Sequence, residues 1–211
     1  IVIAHEVLDA IPVERLTFKN NTLSRLGVSI EKRQGEDFLC FVELPMSIEL
    51  ENSINEIRES IGLEIPPLGA SEGWSSEWHI DLNQWFEKTS HILKIGPLLV
   101  IDYALDAYHY YSPFRSSGTL LAYRENEASR NILLDPGFWD LTSHLCIETL
   151  SFYAKKNGWC FLGEVKQGQA LLSLGLSQKL HSLQSLYENQ LGKALEKRET
   201  LLRLVDPFGL G

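Results

Sequence analysis

The chain opens on an apolar run, Ile1 to Ala4, that passes directly into His5, Glu6 and Asp9 before Pro12. A short unbroken apolar run of this kind predicts a buried strand over 1–4 that delivers carboxylates into the turn behind it. From 13 to 50 the texture changes: short β-branched and aromatic runs are broken by "KNN" and "RQGED", which punctuate hairpins, so this stretch predicts a β excursion. Residues 55–64 allow one or two helical turns before "IPPLGASEGW" interrupts the pattern. Trp78, Leu82, Trp85, Phe86, Ile92 and Leu93 then fall at helical spacing, which predicts a helix over 77–94 stopped by Gly96-Pro97. The continuous run "PLLVIDY" predicts a second buried strand. Residues 103–137 carry Tyr, Ser, Asn and Gly without period and predict a long loop or lid. Beyond it, "DLTSHLCIETLSFYAKKNGW" predicts a capped helix, "CFLGEV" a strand and "GQALLSLGL" another helix. Over 177–205, Leu180, Leu183, Leu186, Leu191, Leu195 and Leu201 recur on helical faces.

This order of elements is that of an α/β fold. Both of its most apolar strands end in acids, Glu6 with Asp9 after the first and Asp102 after the second. Ligands of open parallel sheets sit beyond the carboxyl ends of the strands, which would bring these acids to one crevice. An Asp behind a strand also serves as a helix cap or loop acid, so Asp102 has two readings. Composition narrows the partners. A formal charge of −9 disfavours nucleic acid and anionic membranes and suits a cationic substrate. Cys40, Cys146 and Cys160 are odd in number and lack C-x-x-C spacing, so neither a disulfide framework nor a zinc site is predicted. His5-Glu6 does not open an H-E-x-x-H motif, because Asp9 stands where the second His is required. No run reaches the roughly 18 apolar residues of a membrane span. Reduced thiols point to a cytoplasm-like compartment.

"HEVLDAIPV", "LLVIDYA", "SSGTLLAYRENE", "DPGFWDLTSHL", "KQGQALLSLGL" and "LVDPFGLG" occur in the order found in the MidA-type S-adenosylmethionine-dependent methyltransferases, and the chain resembles that family over nearly its whole length. The family includes a mitochondrial complex I assembly factor that dimethylates an arginine. Its first motif resembles N-E-x-x-D-A-x-P, matched by Glu6, Asp9, Ala10 and Pro12, with His5 in place of the Asn. A D-x-T-x-H pattern is matched by Asp140, Thr142 and His144, and a G-T-L with following Tyr-Arg by Gly118, Thr119, Leu120, Tyr123 and Arg124.

The resemblance implies a partial Rossmann-like class I methyltransferase sheet beginning at about strand four. Core residues would be 1–12 and 77–211, with a lid at 103–137, a β-rich insertion and linker at 13–76, and a helical C-terminal region. Strands one to three, with the Gly-rich cofactor loop and the ribose acid, would precede Ile1. No G-x-G follows a strand here; Gly209-Leu210-Gly211 is the one occurrence. The implied cofactor is S-adenosylmethionine, its binding residues not assignable in this chain, and the implied substrate is a protein. The implied compartment is cytoplasmic, or mitochondrial in a eukaryote.

The chemistry fits the residues. A guanidinium stays protonated and offers five donors in a rigid fork, so methylating it calls for carboxylates that pair with it and fix one nitrogen in line with the sulfonium methyl. Glu6, Asp9 and His144 are the catalytic candidates, and His5, Asp102, Tyr103, Asp140 and Thr142 the substrate-binding ones. Asp140 also reads as a helix N-cap with Thr142 in the first turn, and His144 as a half-buried helix residue. Tyr108, Tyr110 and Tyr111 either line a substrate channel or cover the sheet edge. Trp74, Trp78 and Trp85 read as packing. Two other functions compete with the methyltransferase. One is a non-catalytic interaction or assembly module on the same fold; the other is an unrelated small-molecule enzyme using Glu6, Asp102 and His144 as acid and base.

Overall fold

A computed structural model describes residues 1–125, 127–186 and 190–206, grouped in two compact units that meet in sequence at Phe161 and Leu162. "PFGLG" (207–211), with its Gly209-Leu210-Gly211, and Asn126 and the Leu186 side chain lie outside the described residues.

The first unit begins with β1 (Val2–His5) and continues through a four-stranded antiparallel sheet built from β2 (Glu14–Lys19), β3 (Thr22–Arg33), β4 (Glu36–Leu44) and β5 (Ser75–Trp78), in the order β4-β3-β2-β5. Both hairpin turns anticipated at "KNN" and "RQGED" are two-residue turns. Asn20 and Asn21 (φ 48° and 57°), and Gln34 and Gly35 (φ 53° and 88°), all adopt left-handed backbone, the twist-matched solution for joining adjacent strands. The helix α1 (Ile48–Ile61) starts where the Ser47 hydroxyl accepts the Leu50 N–H at 3.2 Å and ends at left-handed Gly62. Its Leu50, Ile54 and Ile57 stripe is buried, and Ser53 on it bridges the Trp78 indole N–H (2.9 Å) and the Tyr153 hydroxyl (2.8 Å).

Residues 77–94 are not one helix. Ser75–Trp78 is the strand β5, paired with β2, and the helix α2 runs only over Leu82–Ile92. Trp78 is a core residue of a strand, and the helical period it seemed to join is real only from Leu82 onward.

After α2 the chain enters β6 (Leu98–Ile101), which lies parallel to β1 with Val2 opposite Leu98 and His5 opposite Ile101. The stretch read as a lid holds β7 (Ala104–Leu105), α3 (Ala107–Tyr110), β8 (Leu121–Arg124) and β9 (Glu127–Ser129). The expected helix start at Asp140 is a strand: β10 (Asp140–Thr142) pairs antiparallel with β8, Asp140 opposite Tyr123 and Thr142 opposite Leu121. Cross-strand pairing has overridden a local sequence that would also cap a helix. Next come β11 (Leu145–Cys146), parallel to β7, and then α4 (Ile147–Lys156). "CFLGEV" forms no strand; Phe161, Leu162 and Val165 are exposed, and among the described residues no strand pairs with the segment.

Leu8, Leu16, Leu50, Ile57, Trp74, Trp78, Phe86, Leu145 and Tyr153 are the centre of the core. The second unit contains α5 (Gln167–Ser173), α6 (Leu176–Leu186) and α7 (Leu191–Arg203). Within it Gly168 lies against the backbone of Val205, so that a Cβ at 168 would come 3.3 Å from the Val205 Cα. No described helix is long and apolar enough to cross a membrane.

Candidate functional site

The parallel strands β1 and β6 end side by side, and the turns behind them are hydrogen-bonded to each other. The Glu6 N–H still donates to the Ile101 carbonyl at 2.9 Å, completing the ladder, but Glu6 itself has φ +48°. A left-handed glutamate is uncommon and costs about 1 kcal/mol or more, so the surrounding structure must hold it there. Asp102 is the holder. Its Oδ2 accepts the Leu8 N–H at 3.0 Å and the Asp9 N–H at 3.3 Å, and its Oδ1 accepts the Tyr103 N–H at 2.9 Å. Leu8 is fully buried beneath this turn and anchors it to the core.

The result is an acidic site. Asp9 is only 6 % exposed, and its Oδ1 is buried without a hydrogen-bond partner. Burial, with Asp102 and Glu6 nearby, pushes the Asp9 carboxyl above the usual carboxylate range. Glu6 is exposed, with His5 Nε2 at 3.9 Å and the Tyr103 hydroxyl at 3.5 Å from its Oε1. Burial and Glu6 also raise the Tyr103 phenol.

His144 joins from the loop between β10 and β11. Three consecutive amides there are each held by a different element. The Ser143 N–H donates to the Asp9 carbonyl (2.9 Å), the His144 N–H to the Thr119 hydroxyl (3.1 Å), and the Leu145 N–H to the Tyr103 carbonyl (2.8 Å). The His144 ring lies 6.0 Å from the Tyr103 ring, and burial lowers its imidazole below the ordinary value, with Arg115 acting in the same direction and Asp102 against it.

Glu6, Asp9, Asp102, Tyr103, His5 and His144 are thus brought together. Asp140 is exposed at the start of β10, and among the described residues no hydrogen bond ties its side chain to the cluster; Thr142 is half-buried on the same strand. Sequence reasoning missed Glu77 and His79. Glu77 is 0 % exposed and accepts both the N–H (2.8 Å) and the hydroxyl (3.1 Å) of Thr119. His79 is buried, its Nε2 3.0 Å from the Ser143 hydroxyl, and burial lowers it to about 4. The one available signal was a lone glutamate within "SSEWHI", a stretch otherwise suited to a strand. Among the described residues no group of three His, Cys, Asp or Glu side chains is placed to hold a metal ion.

Residues 1–165 match the family described as "Putative S-adenosyl-L-methionine-dependent methyltransferase". The chain belongs to this methyltransferase family. No curated protein matches it. Two solved structures from Burkholderia thailandensis, both of the COG1565 superfamily and one of them bound to S-adenosyl-homocysteine, align with the whole chain at TM-score 0.82 and 24 % identity. They share its fold. The chain spans about half of their length, 50 % and 52 %.

The residues of this methyltransferase-family chain fit the sulfonium end of such a cofactor: a buried, unpartnered carboxylate oxygen on Asp9, flanked by Glu6 and Asp102, suits a neighbouring cation.

Proposed function

We propose that the protein containing this chain transfers a methyl group from S-adenosylmethionine to a protein arginine side chain, on a Rossmann-like class I sheet to which β1 and β6 contribute two strands. The link to respiratory complex I assembly is part of the same proposal and rests on the motif resemblance. The observation that carries the reading is the buried, unpartnered Oδ1 of Asp9, set between Glu6 and Asp102 at the ends of parallel strands in a chain of this family.

S-adenosylmethionine, when bound, supplies an electrophilic methyl on a sulfonium cation, and the turn over residues 5–9 is where this chain would face it. Glu6 and Asp9 accept hydrogen bonds from the guanidinium fork and fix its orientation. Asp102, with its oxygens committed to the backbone N–H groups of Leu8, Asp9 and Tyr103, holds that turn in place. A cation arriving beside Asp9 favours the ionised carboxylate and so offsets the burial that raises it. Transfer would form the N–C bond as the methyl–sulfur bond breaks and S-adenosyl-homocysteine leaves, and one proton must then depart from the guanidinium. His144, kept neutral by burial, offers an imidazole nitrogen to take it.

The test supplies the full-length protein and methyl-labelled S-adenosylmethionine with arginine-containing and lysine-containing peptides, and reads the products by mass spectrometry. Methylarginine is expected; methyllysine alone, or no transfer to either, overturns the arginine assignment. Asp9→Asn should lower turnover by about 10²-fold, the scale of a lost electrostatic stabiliser. S-adenosyl-homocysteine affinity by calorimetry should be unchanged. The sign of the stability effect is opposite. A carboxyl raised in the folded state costs stability once pH exceeds its ordinary value, so Asp9→Asn should melt higher than the parent at pH 7 and equally at pH 3.

A further inference from the structure

Glu77 and His79, alternate residues at the end of β5, are both buried, and each holds one of two consecutive residues in the loop that carries His144. Glu77 acts through Thr119. Its Oε2 takes the Thr119 N–H and hydroxyl proton, and with that proton committed the hydroxyl oxygen is left as acceptor for the His144 N–H at 3.1 Å. His79 meets the Ser143 hydroxyl at 3.0 Å, while the Ser143 N–H is bound to the Asp9 carbonyl. Gly118 makes the Glu77 contact feasible: at φ +69° it lets the backbone approach so closely that a Cβ would lie 2.1 Å from Glu77 Oε1.

A buried carboxylate is a costly way to fasten a loop. A surface turn would need none, and Arg15, the cross-strand neighbour of Glu77, offsets the charge only from 3.9 Å. What the arrangement secures is direction: the hydroxyl proton of Thr119 is drawn toward Glu77, so its lone pair faces His144.

We propose that Glu77 is a positioning residue of the acidic site, fixing His144 beside Asp9 and Tyr103 through the Thr119 hydroxyl, with His79 fixing the adjoining Ser143. The inference rests on the methyltransferase reading for its meaning but not for its geometry, and the test separates the two. Thr119→Val keeps the shape of the side chain and removes the hydroxyl, whereas Thr119→Ser keeps the hydroxyl. The ring titration of His144 and the exchange rate of its amide, followed by NMR in the full-length protein, are independent of any substrate.

In Thr119→Val the His144 amide should exchange at least about tenfold faster and the ring should titrate nearer its ordinary value, beside the same neighbours Tyr103, Asp102 and Arg115. Thr119→Ser should behave as the parent. Glu77→Gln should shift both readings in the same direction as Val, because an amide no longer draws the hydroxyl proton as strongly. Unchanged His144 signals in folded Thr119→Val and Glu77→Gln would overturn the proposal. So would equal shifts in Val and Ser, which mark a general loosening of the loop. Should Glu77→Gln fail to fold, the Val and Ser pair still decides. Where methyl transfer is measured, Thr119→Val should lower kcat about tenfold without moving the KM for S-adenosylmethionine, and Thr119→Ser should restore it. If the NMR result holds and no peptide is methylated, the positioning stands and the reaction assigned to the site falls.

Discussion

The two ends of the four-stranded sheet invert the usual rule of burial. At β5 all four residues are buried, and a charged one, Glu77, is fully so. At the outer end of the β3–β4 hairpin, Val28 and Ile30 are 52 % and 65 % exposed, and Phe38 and Phe41 are exposed as well. The inner edge hides a carboxylate because three neighbours use it: Thr119 by hydrogen bonds, Gly118 by close approach and Arg15 by charge. At this edge polarity alone does not decide which side chains are covered: Glu77 is buried where Thr119 and Arg15 partner it.

The sharpest way to break the contrast is to remove the partner charge. Arg15→Met leaves Glu77 buried with no cation and should cost about 3 kcal/mol, read from the urea midpoint. Glu77→Gln in the same chain should recover most of it, because the amide keeps an acceptor oxygen for Thr119. A cost under about 1 kcal/mol for Arg15→Met would make this edge an ordinary one.

His79 gives an effect of similar size confined to acid. Its imidazole is lowered from 6.5 to about 4, so the unfolded chain takes up a proton before the folded one does, and stability present above pH 6.5 is lost as pH falls toward 4. That shift corresponds to about 3 kcal/mol. His79→Gln should flatten this part of the stability profile while leaving the region above pH 7 nearly parallel to the parent. The smallest effect belongs to the hairpin: Ile30→Thr, at an exposed position, should change the urea midpoint by no more than about 0.5 kcal/mol equivalent.

The elements that were legible in the sequence are those set by local chemistry. Asn20-Asn21 and Gln34-Gly35 announce their turns because few other pairs accept left-handed backbone. The apolar runs of β1 and β6, each closing on acids, announce that those acids come side by side. What stayed hidden depends on distant partners. Asp140-Leu141-Thr142 reads equally well as a cap, and only β8 makes it a strand. Trp78 falls in phase with the α2 pattern by coincidence, which concealed β5 and with it Glu77. "CFLGEV" has the apolar content of a strand, but no strand among the described residues pairs with it. Asp102 was foreseen at the site, but its engagement with three backbone amides is a property of the folded turn.

The lack of room at Gly118 has a consequence for how this sequence can change over generations. Any side chain at 118 collides with Glu77, and any shorter residue at 77 abandons Thr119. Neither position can change freely alone, although one is in β5 and the other in the loop before β8. A Cβ at 118 would lie 2.1 Å from Glu77 Oε1, so alanine there is expected only where the glutamate is gone. Sequences that carry this glutamate should therefore carry glycine at the position matching 118, and where the glycine is gone the histidine loop must be tethered by some other means.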